Sequence, residues 1–179
     1  MGSNTVRSTS TGNITVNATG GTGNWNSSGF YTGSAFTIET HDGALNLFAA
    51  GGTAAGANYG MYTQNTNLVS TGTSVITVKG KRNGSAGSAR DIDLDVAGSI
   101  GGGSATGNIN FIADTFNLAY DTQTTGTVLV KPRTASTTIG LGGGPGDLSL
   151  STTTLSHLIG SKVIIGDSAA GTGDVVLWD

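Results

Sequence analysis

The chain has no cysteine, so it can build neither a disulfide framework nor a cysteine-based metal site. Proline occurs only twice in 179 residues. Charged side chains make up 11% of the sequence, against about 25% in an average globular protein. Glutamate, the commonest acidic helix former, occurs once, as Glu39; the other acids are aspartate, a turn residue. No apolar run approaches the roughly 20 residues a membrane-spanning helix needs. No signal peptide is present either. A net charge of −3 and an isoelectric point of about 5.1 provide no basic stripe, so no nucleic-acid partner is expected. Met1-Gly2-Ser3 reads as an added start and the chain stops directly after Val175-Val176-Leu177, so it is expected to be a piece of a longer protein.

What is abundant is glycine, at 31 residues, together with Thr, Ser and Asn. All rank low in helix propensity, through backbone entropy, χ1 restriction or competing local hydrogen bonds. Such a polar chain could be disordered, but its apolar residues cluster in short alternating runs. These include Ile14/Val16, Phe36/Ile38, Leu45/Leu47, Ile76/Val78, Ile92/Leu94/Val96, Ile109/Phe111, Val128/Val130, Leu148/Leu150 and Val163/Ile165. Alternation punctuated by Gly, Asn, Asp and Ser predicts half-buried strands. Only Thr152 to Ile159 has apolar spacing that fits a helical turn, and a loop tucking two leucines inward fits equally well.

Spacing selects the architecture. Ile76, Ile92, Ile109, Val128 and Leu148 follow at steps of 16, 17, 19 and 20 residues, a quasi-period that signals a solenoid. A sandwich or jelly roll, with strands about 8–12 residues apart, is the competitor. Its hairpin signatures are missing, and a solenoid with two or three short strands per coil produces both spacings. The prediction is an all-β, right-handed parallel β-helix of about eight to nine coils, with glycine corners, Thr and Asn ladders and little or no helix. Residues 1–43 fit least well and are expected to be an irregular cap or degenerate first coils; residues 44–179 are the regular coils.

Residues 137–165, TTIGLGGGPGDLSLSTTTLSHLIGSKVII, followed by GDSAAGTGDVVL, and residues 58–80, NYGMYTQNTNLVSTGTSVITVKG, resemble the repeats of large bacterial filamentous-haemagglutinin-type proteins. The resemblance implies a secreted right-handed β-helix serving as an adhesin or exoprotein stalk at the cell surface. It brings no catalytic residues and no cofactor. The partners it implies are neighbouring coils, a second copy joined end to end, or a host or matrix glycan or protein.

Several clusters are candidates for chemistry. Alternation in Arg90-Asp91-Ile92-Asp93-Leu94-Asp95-Val96 predicts three aspartates on one outer face. That face reads as a solvated charge surface, with Lys79 stacked on Asp95 by a shift of 16 residues, or as a weak calcium site formed by Asp91, Asp93 and Asp95. With Lys79, Lys81, Arg82 and Arg90 it also admits an acid–base site acting on polysaccharide. Gly101-Gly102-Gly103 and Gly142-Gly143-Gly144 lack the lysine and helix of a phosphate loop and read as corners. His41 and His157 lie far apart in sequence, with no nucleophile elbow beside them. Trp25, Tyr31, Tyr59 and Tyr62 could stack on sugar rings, Phe30 and Met61 lying beside them, or pack as core or cap; Trp178 would cover the last coil or mark where a next one joins. Thr-rich pieces raise ice binding, but they do not recur at one place in the coil. The expected function is therefore structural or adhesive and non-catalytic, with a polysaccharide-active enzyme or carbohydrate-binding module as the alternative.

Overall fold

A computed structural model describes residues 4–23, 26–84, 87–167, 169 and 171–177. The chain winds as a parallel β-solenoid of about five turns, not the eight to nine coils expected from the sequence. In order, the strands are β1 (Asn4–Ser8), β2 (Ile14–Thr19), β3 (Phe30–Thr32), β4 (Phe36–Thr40), β5 (Leu45–Ala50), β6 (Met61–Ser70), β7 (Ile76–Lys81), β8 (Ile92–Gly101) and β9 (Ile109–Ile112). They continue as β10 (Phe116–Leu118), β11 (Thr122–Gln123), β12 (Thr127–Lys131), β13 (Ile139–Leu141) and β14 (Leu148–Leu150). A short helix α1 (Thr152–Ser156) precedes β15 (Leu158–Ile159), β16 (Lys162–Ile165) and β17 (Val175–Leu177). The helix starts where Ser151 Oγ accepts the Thr154 amide hydrogen, the cap expected of a serine before a helical turn.

Every strand pairing given for the described residues is parallel, which excludes the sandwich. The first sheet runs β1-β4-β6-β8-β11-β15, with β3 also on β6 and β10 also on β8. The second runs β2-β5-β7-β9-β12-β16, and the third β14-β13-β17. Each turn therefore offers up to three strand positions. In the turns containing β6 and β8 the first two positions merge into one ten-residue strand.

The true period is longer than the one read from the sequence. Ile14, Leu45, Ile76 and Ile109 stack in register at steps of 31, 31 and 33 residues. The 16- and 17-residue steps from Ile76 to Ile92 and on to Ile109 are two parts of one turn, since Ile92 belongs to the first sheet and Ile76 and Ile109 to the second. The turn between β9 and β12 shortens to 19, with Ile109 on Val128. The expected Lys79–Asp95 stack does not form: Lys79 sits in register with Phe48 and Ile112, and Asp95 with Gln64. The early strands pair in parallel register, β1 with β4, β2 with β5, and β3 and β4 with β6.

Burial drives the stacking, because one turn cannot cover its own apolar side chains and its neighbours can. Leu45, Ile76, Ile109 and Val128 form one fully buried row, and Leu47, Val78, Phe111 and Val130 the next. Thr and Asn ladders run outside: Asn67 Nδ2 donates to Thr37 Oγ1 at 3.4 Å, and Ser99 Oγ donates to Asn67 Oδ1 at 3.0 Å. Corners are stacked backbone. A Cβ at Gly43 would lie 2.1 Å from the Gly12 carbonyl oxygen, so only glycine fits there.

Candidate functional site

The most distinctive outer surface lies on the first strand position. Tyr31 of β3, Tyr62 of β6, Asp93 of β8 and Asn117 of β10 occupy one lateral row. The flanking rows, Met61-Ile92-Phe116 and Thr63-Leu94-Leu118, are buried, so alternation turns this row outward. Tyr31 is 61% exposed. Its ring stacks on Tyr62 with centroids 5.8 Å apart and planes at 19°, and Tyr59 approaches Tyr62 at 5.0 Å and 34°. Three of the four aromatic residues singled out from the sequence thus meet; Trp25, like Trp178, lies outside the described residues.

Polar groups edge the tyrosines. Gln64 Nε2 donates to Tyr62 Oη at 2.8 Å, and Tyr62 Oη donates to Asp95 Oδ2 at 3.4 Å. Burial and then the Asp95 charge raise the Tyr62 pKa above its usual value, against the opposing effect of the Gln64 hydrogen bond. Arg90 Nη1 donates to Asp93 Oδ2 at 2.9 Å, and Asn117 Nδ2 to Asp93 Oδ1 at 2.8 Å. The result is a shallow aromatic shelf bordered by an amide, a carboxylate and an ion pair, a chemistry that suits a sugar ring's apolar face and hydroxyls.

The aspartate cluster differs from its expected form. Asp91 and Asp93 are 1% and 4% exposed, so they form no solvated outer face, whereas Val96, expected inward, is 59% exposed. Asp91 sits at the corner before β8. Its Oδ1 accepts the Arg82 amide hydrogen at 2.7 Å, and its Oδ2 those of Asp114 and Thr115 at 2.6 and 3.3 Å. Asp91 and Asp93 thus bond to different protein donors, and Asp95 bonds to Tyr62. Among the described residues no three His, Asp or Glu side chains are grouped so as to hold a metal ion.

The basic residues also part. Arg82 and Arg90 border a polar hollow of about 430 Å³ with Asn117, Asp147 and Ser149, whereas Lys79 and Lys81 line a separate groove on the second sheet. His41 follows β4 and bonds Thr71 Oγ1 at 2.9 Å; His157 precedes β15 and bonds Asp121 at 2.7 Å. Three strands separate β4 from β15. The glycine runs turn corners, with Gly101, Gly102, Gly142 and Gly143 at φ between 70° and 127°. Outward threonines are interrupted: the row Thr15, Asn46, Thr77, Asn110, Leu129, Ile164 alternates residue types and is no Thr lattice.

Sequence reasoning missed the aspartate corner and the basic groove. The 31-residue spacing of Gly12-Asn13-Ile14-Thr15-Val16 and Gly43-Ala44-Leu45-Asn46-Leu47 was the signal that would have aligned the turns and found the groove, whereas the bonds of Asp91 span 9, 23 and 24 residues and follow no such spacing. Compared with protein-family models, curated proteins and solved structures, the chain matches none.

Proposed function

We propose that this chain is a structural and adhesive segment of a secreted or cell-surface bacterial filament, akin to filamentous-haemagglutinin-type exoproteins, acting by presenting surface and not by catalysis. The observation that carries the reading is the exposed Tyr31–Tyr62–Tyr59 shelf edged by Gln64 and Asp95. A rigid solenoid holds those rings with little entropy left to lose on contact, which favours glycan recognition. Asp91 and Asp93 serve backbone and ion-pair contacts, which supports the non-catalytic reading.

A glycan array tests it. The wild type should bind a restricted glycan set, and Tyr31→Ala with Tyr62→Ala should lose at least tenfold in affinity while keeping the wild-type circular dichroism. An unchanged binding pattern in the double variant would remove the shelf from the function.

The partner in a filament is another solenoid surface. Ile159, Val163 and Ile164 on the last strands of the two larger sheets are 43%, 41% and 37% exposed. Among the described residues no further strand lies beyond β15 or β16, and an apolar strand edge invites strand addition. Sedimentation velocity should show association rising with concentration, and Ile164→Lys should suppress it.

The polar hollow favours one second reading, a polysaccharide-active enzyme using Asp147 beside Arg82 and Arg90. Release of reducing ends from an acidic polysaccharide, abolished by Asp147→Asn, would establish it; no release by the wild type would end it.

A further inference from the structure

The second sheet carries a different surface, on another flank from the tyrosines. Asn17 of β2, Phe48 of β5 and Lys79 of β7 stand side by side in register on its outer face. One step along the strands, Thr19, Ala50 and Lys81 form the next outward row. Between the rows the inward residues are Ala18, Ala49 and Gly80. A groove of about 620 Å³ runs over this region, with Arg133 at its border. That size falls within the range of clefts that hold small organic ligands.

The charge of the groove is what calls for a ligand. No acidic residue lines it. Four of the eight basic residues of the chain are held by carboxylates: Arg7 by Glu39, Arg90 by Asp93, Lys131 by Asp167 and Arg133 by Asp114. Lys79 and Lys81 are exposed, and among the described residues neither has an ion-pair or side-chain hydrogen-bond partner. They project from the same face of one strand two positions apart, roughly 6–7 Å along it. Two unpaired like charges at that spacing repel each other, in a chain that is acidic overall and sparing with charge. Nor do they belong to a general basic face. The in-register neighbours of Lys79 are Phe48 and Ile112, and that of Lys81 is Ala50.

We infer that this groove binds an acidic saccharide, a sugar chain bearing carboxylate or sulfate groups. The two ammonium groups meet successive anionic substituents, the half-buried Phe48 ring offers an apolar surface to a sugar face, and the Asn17 amide reaches hydroxyls. A small inorganic anion would use the lysines alone; Phe48 beside them is what selects a saccharide. The inference is independent of the tyrosine shelf, because the two surfaces share no residue.

The test is calorimetric titration of the whole chain with three size-matched oligosaccharides: an oligouronate, a sulfated dextran oligomer and unmodified dextran. At least one anionic probe should bind and neutral dextran should not; whichever binds identifies carboxylate or sulfate as the recognised group. Affinity should fall as salt rises, since exposed charges are screened. Lys79→Gln and Lys81→Gln should each weaken binding about three- to tenfold, and Phe48→Leu should weaken it while leaving the salt dependence unchanged. Lys162→Gln removes one positive charge elsewhere and should leave affinity within twofold. Binding of neither anionic probe, equal binding of dextran, or an equal loss with Lys162→Gln and Lys79→Gln would overturn the site. A loss on Phe48→Leu no larger than the error would reduce it to nonspecific charge attraction and overturn the saccharide assignment.

Discussion

The Asp91 carboxylate accepts the backbone amide hydrogen of Asp114 at 2.6 Å, joining two corners of the solenoid. The same side chain accepts the amides of Arg82 and Thr115, and it is 1% exposed. One residue therefore satisfies three part-buried backbone donors. Removing it leaves those donors unpaired, and each buried orphan costs about 1–3 kcal/mol. Asp91→Ala should lower stability by roughly 3–5 kcal/mol, and Asp91→Asn by less, because its carbonyl oxygen still accepts. Urea denaturation checks this; a loss below 1 kcal/mol for the alanine variant would show that the corner repacks.

Asp114 carries the relay onward and gives the fold an acid limb. Burial alone would raise its pKa. Hydrogen bonds from the side chain and backbone of Thr134, the Arg133 charge and the Thr137 hydroxyl outweigh that effect and hold it below the usual value of 3.8. A lowered folded pKa means stability that is present above the unfolded value and is lost as pH falls through the folded one. The wild type should therefore lose stability below about pH 4. The deficit of Asp114→Asn should be largest near neutral pH and shrink on acidification. Melting curves between pH 2 and 7 measure it, and a deficit independent of pH would sink the assignment.

Tyr120 sets the alkaline limit. It is 6% exposed, and its hydroxyl lies 3.2 Å from Thr63 Oγ1. Burial pushes its pKa up to about 12, with Thr63 opposing and Asp95 adding to the rise. The unfolded phenol ionises from about pH 10. A raised folded pKa gives stability that is full below the unfolded value and is lost as pH climbs through the folded one. About 2–3 kcal/mol should disappear between pH 10 and 12. Tyr120→Phe should start lower by about 1 kcal/mol for the lost hydrogen bond yet decline less over that range. A parallel decline in both proteins would assign the alkaline transition elsewhere.

These residues show where sequence reading stops. Alternation at Ile109/Phe111 or Leu45/Leu47 is a local property of a pleated strand, so strands and fold class were legible. The period was not. Ile92 lies on a different sheet from Ile76 and Ile109, and a one-dimensional list cannot separate a step around the coil from a step up it. Tyr31 and Tyr62 were legible as candidates because they stand in loop-like segments, although the sequence left core or cap packing open. Their stacking depends on the 31-residue register, and so does the meeting of Phe48 with Lys79. Asp91 was misread because alternation was extended one residue past the strand into a corner, where the side chain turns toward backbone.

Val96 marks the opposite failure, where alternation breaks inside a strand. Its φ is +72°, a region that costs a β-branched side chain, and the residue is 59% exposed. The pairing of β6 with β8 shifts register here, between Gln64 and Thr66, so the strand bends between two sheet positions. The preceding turn solves the same bend with Asn65 at φ +56°. Asparagine tolerates that conformation, and the exposed valine contributes little packing to offset its strain. Val96→Asn should raise stability by about 1 kcal/mol, or about 2–4 °C in melting temperature for a chain of this size. Val96→Gly should gain less, because glycine also loosens the unfolded chain. The bend lies one residue from Asp95 and so beside Tyr62, which makes glycan affinity the second readout. If Val96→Asn melts higher and binds as well as the wild type, the strain is incidental; if it melts higher and binds less tightly, the bend sets the position of the tyrosine shelf. A lower melting temperature would show that Val96 packs against something its exposure does not reveal, and the strain argument would fail.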